Sequence, residues 1–530
     1  MAMPFATPSS IHVAGLLVLC IVGLAVYRLF LHPLAKVPGP RLAAITSLYC
    51  AYYDIYKGGQ YIWAVQELHA QYGPVVRIMP NVVHVNDPVF VDKLYTQSPR
   101  VRRERAYTVL RVFTRQISML ATRDHDLHRR RRAVLSRYFS HQNVRRLVPL
   151  LNETLENLLR RLDQHSCEAG TDADGLPVPA HLKMYFKATT KDVIQSYAFG
   201  GGQMCLDMPD LNEPLFRVLS MGRMAPTAVH FPWFIKGMRS LPTSVLIQLF
   251  PFLQASISFA QSMTCTITTI KAGTSVPTEA PVRSSIFHEV LSSGIDAANK
   301  ETERIVDEAM VLAVAGTDTT AMTLTALTYK VLSDPVIFSR LRAELDAAIP
   351  DPSQFPDPVK LDGLPFLNAL IEETLRMYPS ATLRQDRVAP DEDLVYTYAD
   401  GTGRTLILPR GTVIGMTAPL LNRSPALYQD PNTFRPDRFL DDPTLARRSL
   451  TFSRGARQCI GINLAYQELQ TFTAGLFRKY SPYDPMLEKQ KGPTLELYET
   501  TARDVAVHAD FVTAHAYPGS KGLRVRIRAE

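Results

Sequence analysis

From Ile11 to Leu31 the chain is almost continuously apolar, interrupted only by His12 near the start and Arg28 near the end. A helix rising 1.5 Å per residue crosses a bilayer core with about 20 such residues, so the stretch is expected to span a membrane, with Arg28 snorkelling to the interface. A cleaved signal peptide fits less well. No basic region precedes the run, no A-x-A site follows it, and it is long for a signal core. Arg28, Lys36 and Arg41 lie on its C-terminal side, which leaves the large domain in the cytosol. The segment H-P-L-A-K-V-P-G-P follows, and Pro33, Pro38 and Pro40 favour a stiff, extended connection. The expected organisation is an anchor over 1–32, a proline-rich linker over 33–41 and one domain over 42–530. Within that domain Ala272–Ser285 reads as a surface loop.

The rest of the chain has the composition of a globular protein with a sizeable core: 46% hydrophobic and 20% charged residues, with a net charge of +8. That surplus suits nucleic acid, an acidic protein partner or an anionic membrane surface, and is also compatible with no special partner. Six cysteines are scattered with no C-x-x-C pair, which argues against a zinc site and against a dense disulfide framework, and for a reducing compartment.

Helical periodicity predominates. It predicts helices over Ile62–Tyr72, His125–Phe139, Leu147–Gln164, Pro214–Met221, Thr302–Leu332, Pro335–Ile349, Pro365–Met377 and Ile462–Lys479. Strand-like pieces occur at Val75–Ile78, Val82–Val85, Thr405–Leu408, Thr412–Met416 and Leu523–Ile527. The fold class is therefore mainly α with small β-sheets. Neither G-x-G-x-x-G nor G-x-x-x-x-G-K-[ST] occurs, and Gly200–Gly202 reads as a turn. The chain offers no nucleotide site of its own.

Residues 452–461 read F-S-R-G-A-R-Q-C-I-G. A lone cysteine is usually a small buried hydrophobe, but here the surroundings differ. Gly455 and Gly461 permit unusual backbone shapes, and Arg457 puts a cation two residues before Cys459. A helix beginning just after the thiol would offer free N–H groups that favour thiolate. A thiolate is an axial ligand that promotes O–O cleavage at haem iron.

This segment resembles the cysteine-ligand signature of the cytochrome P-450 family, F-x-x-G-x-R-x-C-x-G, at every fixed position: Phe452, Gly455, Arg457, Cys459 and Gly461. The other family motifs follow in order. E-T-L-R places Glu373 and Arg376 on one helical face, and F-R-P-D-R-F supplies Arg438. The resemblance implies that these three form a structural network supporting the cysteine loop. A-G-T-D-T-T, Ala315–Thr320, lies inside the long apolar helix, where a buried Asp318 is costly unless paired or useful. There the resemblance implies a notch for dioxygen at Gly316, a hydrogen bond from Thr319 to the oxygen being activated, and proton relay by Asp318. In D-L-H-R-R-R-R, His128 stands where the family commonly has Trp and Arg132 matches its Arg, a pair implied to hold a haem propionate. Arg129–Arg131 are then expected to present positive charge to an acidic reductase. Arg387 and Arg457 complete the implied set of propionate partners, and Ser380–Leu383 would lie against the substrate. Other candidate pocket residues are Arg111–Leu120 and Val311–Ala315.

The resemblance covers nearly the whole chain, and H-P-L-x-x-x-P-G-P, H-x-x-x-R and R-V-A-P look most like fungal microsomal members of the trichodiene-oxygenase-like group. It implies haem b ligated by Cys459, and electrons from NADPH through a separate NADPH–cytochrome P-450 reductase, with cytochrome b5 as a further partner. It also implies residence in the endoplasmic reticulum membrane and oxidation of an apolar small molecule, a terpenoid, polyketide or alkaloid intermediate of fungal secondary metabolism. A same-fold enzyme that rearranges a peroxide or dehydrates without external electrons is the alternative, disfavoured by the intact Asp318–Thr319 pair. An arginine-rich membrane-bound binding module accounts for the charge but not for the Cys459 loop, and no nucleic-acid partner is expected. The N-x-[ST] matches at Asn152 and Asn422 would face the cytosol and read as chance.

Overall fold

The computed structural model describes residues 10–98, 100–106, 117–219, 222–273, 285–294, 296–351 and 354–528. Its axis is the helix Thr302–Ser333, which packs against Leu182–Phe199, Gln254–Lys271, Pro335–Ala348, Pro365–Met377 and Ile462–Lys479. Mainly apolar residues on both sides of this helix, such as Ile305, Leu312, Leu324 and Val331, are buried in the main core, as expected of a helix surrounded by others. Small sheets border this helical body. One orders its strands as Val75–Met79, Val82–Val85, Val413–Gly415, Arg387–Val388 and Glu104–Arg105. Another joins Ala180–His181, Arg524–Arg528, Thr494–Leu497 and Ser481–Pro482. Two hairpins, Leu394–Thr397 with Thr405–Leu408 and Ala509–Phe511 with Thr513–His515, complete the β structure.

The predicted helices agree with the structure to within a few residues. His125–Ser136 ends before Phe139, Val148–Glu168 runs on past Gln164, and the described helix Glu213–Leu219 stops short of Ser220 and Met221, which lie outside the described residues. Most of the expected loop Ala272–Ser285 also lies outside them, as do Arg111–Gln116 of the candidate pocket residues. The helix Leu182–Phe199 was not expected. Its buried set includes Lys187, Thr189, Thr190, Lys191, Asp192 and Gln195 alongside its apolar residues, so it has no polar stripe for periodicity to detect.

The apolar N-terminus is a helix over Ser10–Val26 that continues as a π-helical turn, Tyr27–Leu31. His12–Leu31 is unburied with a mean hydropathy of 2.4, a candidate membrane span. Rather than hanging free, Arg28 donates to the carbonyl of Ile45. The proline-rich segment is docked as well: Leu34 and Val37 are buried, and Arg77, fully enclosed in the neighbouring strand, donates to the carbonyls of Arg28 and Leu34.

Close helix packing depends on glycine at the buried Gly475. A Cβ on Gly475, in Ile462–Lys479, would fall against the Leu155 side chain of Val148–Glu168. Gly475→Val is therefore expected to destabilise the domain by about 1–3 kcal/mol, read as a lower denaturation midpoint, whereas the same change at exposed Gly237 should not lower it, since no atom lies near its Cβ position and its φ is not positive.

Candidate active site

The helix Ile462–Lys479 starts immediately after the cysteine loop, with Gly461 as its N-cap residue. The loop is held by its own backbone, the N–H of Cys459 donating to the carbonyl of Phe452 at 2.9 Å. Gly455 has φ +71° and a Cβ there would collide with the carbonyls of Tyr95 and Thr96, so only glycine fits. Gly461 has an ordinary φ and open space around it, so the expectation that it too needs glycine's freedom is corrected. The half-buried Phe452 ring lies 5.5 Å from that of Tyr466.

Cys459 is solvent-accessible although protein surrounds it densely, which marks a side chain facing an internal space. The same holds for Ala315 and Thr319, open positions in the middle of an otherwise buried helix. Two other pockets, of about 100 and 710 Å³, lie elsewhere and do not include Cys459. One expectation is reversed. Burial pushes the Cys459 thiol up, and it outweighs the N–H of Gly461 and the charge of Arg132, which act the other way. The protein alone therefore does not favour the thiolate; a metal ion that binds sulfur is needed to displace the proton.

Beside the cysteine loop the structure gathers cations. Arg387 and Arg105 sit directly opposite each other on paired strands, both buried. Like charges so placed repel. Arg457 donates to the carbonyls of Thr122 and Arg123, each at 2.6 Å, and Arg387 to Ser453 Oγ at 3.0 Å. The Nε groups of Arg105 and Arg457 are buried without a hydrogen-bond partner. Burial and then the neighbouring guanidinium groups push Arg457 down to about 8 and Arg105 to about 9. A guanidinium does not deprotonate in proteins, so the direction registers a strongly positive, dry environment. The carboxylate of Asp386 is already paired with Arg384 at 2.6 Å. Such a cluster fits a ligand carrying carboxylates, as haem does, beside a sulfur donor that fits its iron. Arg105 was missed in the sequence, because a two-residue strand gives no periodic signal.

His128 is buried among these cations. Burial first, then Arg457, Arg105, Arg132 and Arg387, drive it down to about 2, so its imidazole is neutral and keeps one N–H to donate. Arg132, one of the charges acting on His128, donates to the carbonyl of Gln458 at 2.7 Å, next to Cys459. Arg129 and Arg130 are exposed. Arg131 is not part of that outward face, since it turns inward to donate to Thr122 Oγ1 at 2.7 Å.

On the central helix Asp318 is paired with Lys187 of Leu182–Phe199 at 2.5 Å, with the side chains 13% and 3% exposed. Burial alone would raise its pKa, but Lys187, Lys183 and His515 outweigh it and hold the carboxyl below its usual range. Thr319 Oγ1 donates to the carbonyl of Ala315 at 2.8 Å, and the carbonyl of Thr319 accepts from Ser380 Oγ at 2.8 Å. Ser380 and Thr382 are thus committed to internal bonds, the latter to Asp510 at 2.8 Å, while Leu383 lines the pocket of about 100 Å³. Gly316 is not a notch on the open face. A Cβ there would lie 3.1 Å from Ile194, so this glycine lets the two helices approach, next to the bond from Thr190 Oγ1 to the Thr317 carbonyl at 2.8 Å.

Glu373, Arg376 and Arg438 meet in a fully enclosed cluster. Glu373 accepts from Arg376 at 2.7 and 2.8 Å, from Arg438 at 3.1 and 3.2 Å, and from the Arg435 N–H at 2.7 Å. Asn422 connects this cluster to the cysteine loop: its carbonyl accepts from Arg376, and its side chain accepts from the N–H of Leu450 and donates to Thr451. Asn422 is fully buried, so its N-x-[ST] match is inaccessible to a glycosylating enzyme.

Comparison with known proteins agrees with this geometry. The cytochrome P-450 family matches residues 47–497. The chain is 38% identical to the cytochrome P-450 monooxygenase tpcC of Cochliobolus heterostrophus, over 95% of this chain and 94% of that protein. It is 33% identical to the fusicoccadiene C-8 hydroxylase of Phomopsis amygdali, over 95% and 93%, and 33% identical to the tryptophan 6-hydroxylase fscE of Fusarium equiseti, over 96% and 95%. By this match over most of its length, the chain belongs to the cytochrome P-450 family of haem-containing monooxygenases.

Proposed function

We propose that the protein is a single-pass enzyme of the endoplasmic reticulum membrane whose cytosolic domain oxidises an apolar intermediate of fungal secondary metabolism. Electrons come from NADPH through a separate reductase, with cytochrome b5 as a further donor. The observation that carries the reading is the accessible Cys459 on a loop beside which Arg105, Arg387 and Arg457 are buried together, with the Nε groups of Arg105 and Arg457 lacking a hydrogen-bond partner. When bound there, haem supplies the activation of dioxygen. Cys459 would hold its iron through sulfur, and the arginines with neutral His128 would bind its carboxylates. Arg132 and the Glu373–Arg376–Arg438 cluster keep the cysteine loop in shape.

Proton movement falls to Asp318 and Thr319. Asp318 rests as a carboxylate bound to Lys187, so it takes up a proton by turning from that ammonium. The Thr319 hydroxyl has a single proton, now given to Ala315, and must rotate to donate into the cavity. Thr319→Ala should retain haem yet divert a severalfold larger share of NADPH electrons to hydrogen peroxide, checked by peroxide yield per NADPH. Coupling as tight as in the parent would remove Thr319 from the relay.

The relatives act on substrates as unlike as fusicoccadiene and tryptophan, so product analysis must name the skeleton. The direct test of the reading is a ferrous–carbon monoxide spectrum, expected to show the red-shifted Soret band of thiolate ligation, followed by NADPH consumption with a reductase. A histidine-type spectrum defeats the ligand assignment, and turnover without NADPH defeats the monooxygenase cycle.

A further inference from the structure

A second constellation lies away from the cysteine loop. Cys50 is on the short helix Leu48–Ala51, and Asp54 is on the π-helical turn Tyr52–Tyr56 that continues it. Four residues apart on one helical rod, they face the same way. His230 closes the helix Ala225–His230, far along the chain. Asp54 Oδ2 is 2.8 Å from His230 Nε2 and 3.2 Å from Cys50 Sγ, and the sulfur is 3.7 Å from that nitrogen. Cys50 is buried, and the side chain of His230 is 5% exposed. Asp54 also lines a pocket of about 100 Å³ together with Ala225, Pro226 and Val229.

Zinc bonds of about 2.3 Å to sulfur and about 2.0–2.2 Å to nitrogen and oxygen, in tetrahedral array, separate the three donors by about 3.3–3.6 Å. The observed triangle needs adjustments of about half an ångström or less to match. Mixed sulfur, nitrogen and oxygen donors suit a borderline ion such as zinc and not the oxygen-seeking calcium or magnesium. π-Helical turns also concentrate at functional sites.

We propose that Cys50, Asp54 and His230 bind one divalent zinc-class ion, with the fourth position taken by water from the pocket side. On binding, the Cys50 S–H proton passes to solvent as the sulfur–metal bond forms. His230 binds through Nε2 and keeps its proton on Nδ1. The thiolate and carboxylate neutralise the dication. The ion clasps the segment Ala225–His230 to the helical rod 48–56, two stretches that meet here through His230 Nε2, against Asp54 Oδ2 and Cys50 Sγ.

The test uses the full-length haem-loaded protein in detergent, with the exposed Cys20, Cys167 and Cys265 changed to serine. After dialysis against micromolar zinc, metal content should reach one zinc per haem iron. X-ray absorption at the zinc edge should show one sulfur at about 2.3 Å with lighter donors at about 2.0–2.2 Å. Cys50→Ser, Asp54→Asn and His230→Ala should each weaken binding roughly tenfold or more, with the Soret band reporting that the fold persists. If a variant fails to load haem, the absorption spectrum of the unsubstituted site decides by itself. Zinc retained no better than in the Cys50→Ser/His230→Ala double variant, or a zinc shell without sulfur, would mean that the three groups only share hydrogen bonds.

Discussion

Cys459→Ala is expected to abolish oxidation, by roughly a thousandfold or more, equivalent to about 4 kcal/mol of lost transition-state stabilisation. The fold should survive. The bond that shapes the loop runs from the backbone N–H of residue 459 to Phe452, and Gly455, which allows the tight approach to Tyr95 and Thr96, is untouched. Alanine also removes a thiol whose burial is unfavourable to its ionised form. The variant should therefore match the parent in denaturation midpoint to within about 1 kcal/mol, insert through the same anchor, and lack the red-shifted carbon monoxide band. Retention of that band would transfer the ligand role to another cysteine. Buried Cys50 and Cys205 and exposed Cys20, Cys167 and Cys265 then become the candidates.

Glu373→Ala should have the opposite signature, a loss of folded protein rather than of chemistry alone. Glu373 is the shared anion of two guanidinium groups, and all three side chains are 0–2% exposed. Removing one partner of such a buried set leaves uncompensated charge and costs about 3–5 kcal/mol, a large part of the roughly 5–15 kcal/mol that holds a domain together. The comparison that isolates burial is Asp437→Asn, which breaks the Arg340–Asp437 pair, also bidentate but with both side chains 42% exposed. That loss should cost about 1 kcal/mol or less. Denaturant midpoints and haem content of the two variants, measured side by side, check this. Equal stability would deny the cluster a structural role. Because Arg376 and Asn422 connect it to Leu450 and Thr451, haem loading should fall with stability.

The two variants separate what a local motif can report from what it cannot. F-S-R-G-A-R-Q-C-I-G and E-T-L-R are legible because the geometry they need is local: a positive φ at Gly455, a helix start after Gly461, an i,i+3 pair on Pro365–Met377. The long helices were legible for the same reason, since an apolar stripe repeats along one stretch of chain. Gly316 shows the limit. Its place in A-G-T-D-T-T was plain, but whether the missing side chain faces the open space or Ile194 depends on where another helix lies.

By itself, then, the sequence determined the apolar N-terminal segment and the mainly helical class, through short-range periodicity, and picked out the cysteine and the residues that accompany it through their resemblance to the family's motifs. Only the tertiary structure decided the environment of those residues. It supplied Lys187 for Asp318 from a helix buried on nearly every side, set Arg105 against Arg387 across two short strands, turned Arg132 to the Gln458 carbonyl, and raised rather than lowered the Cys459 thiol. Each of these depends on burial and on charges brought close from distant parts of the chain, and both arise only when the elements pack.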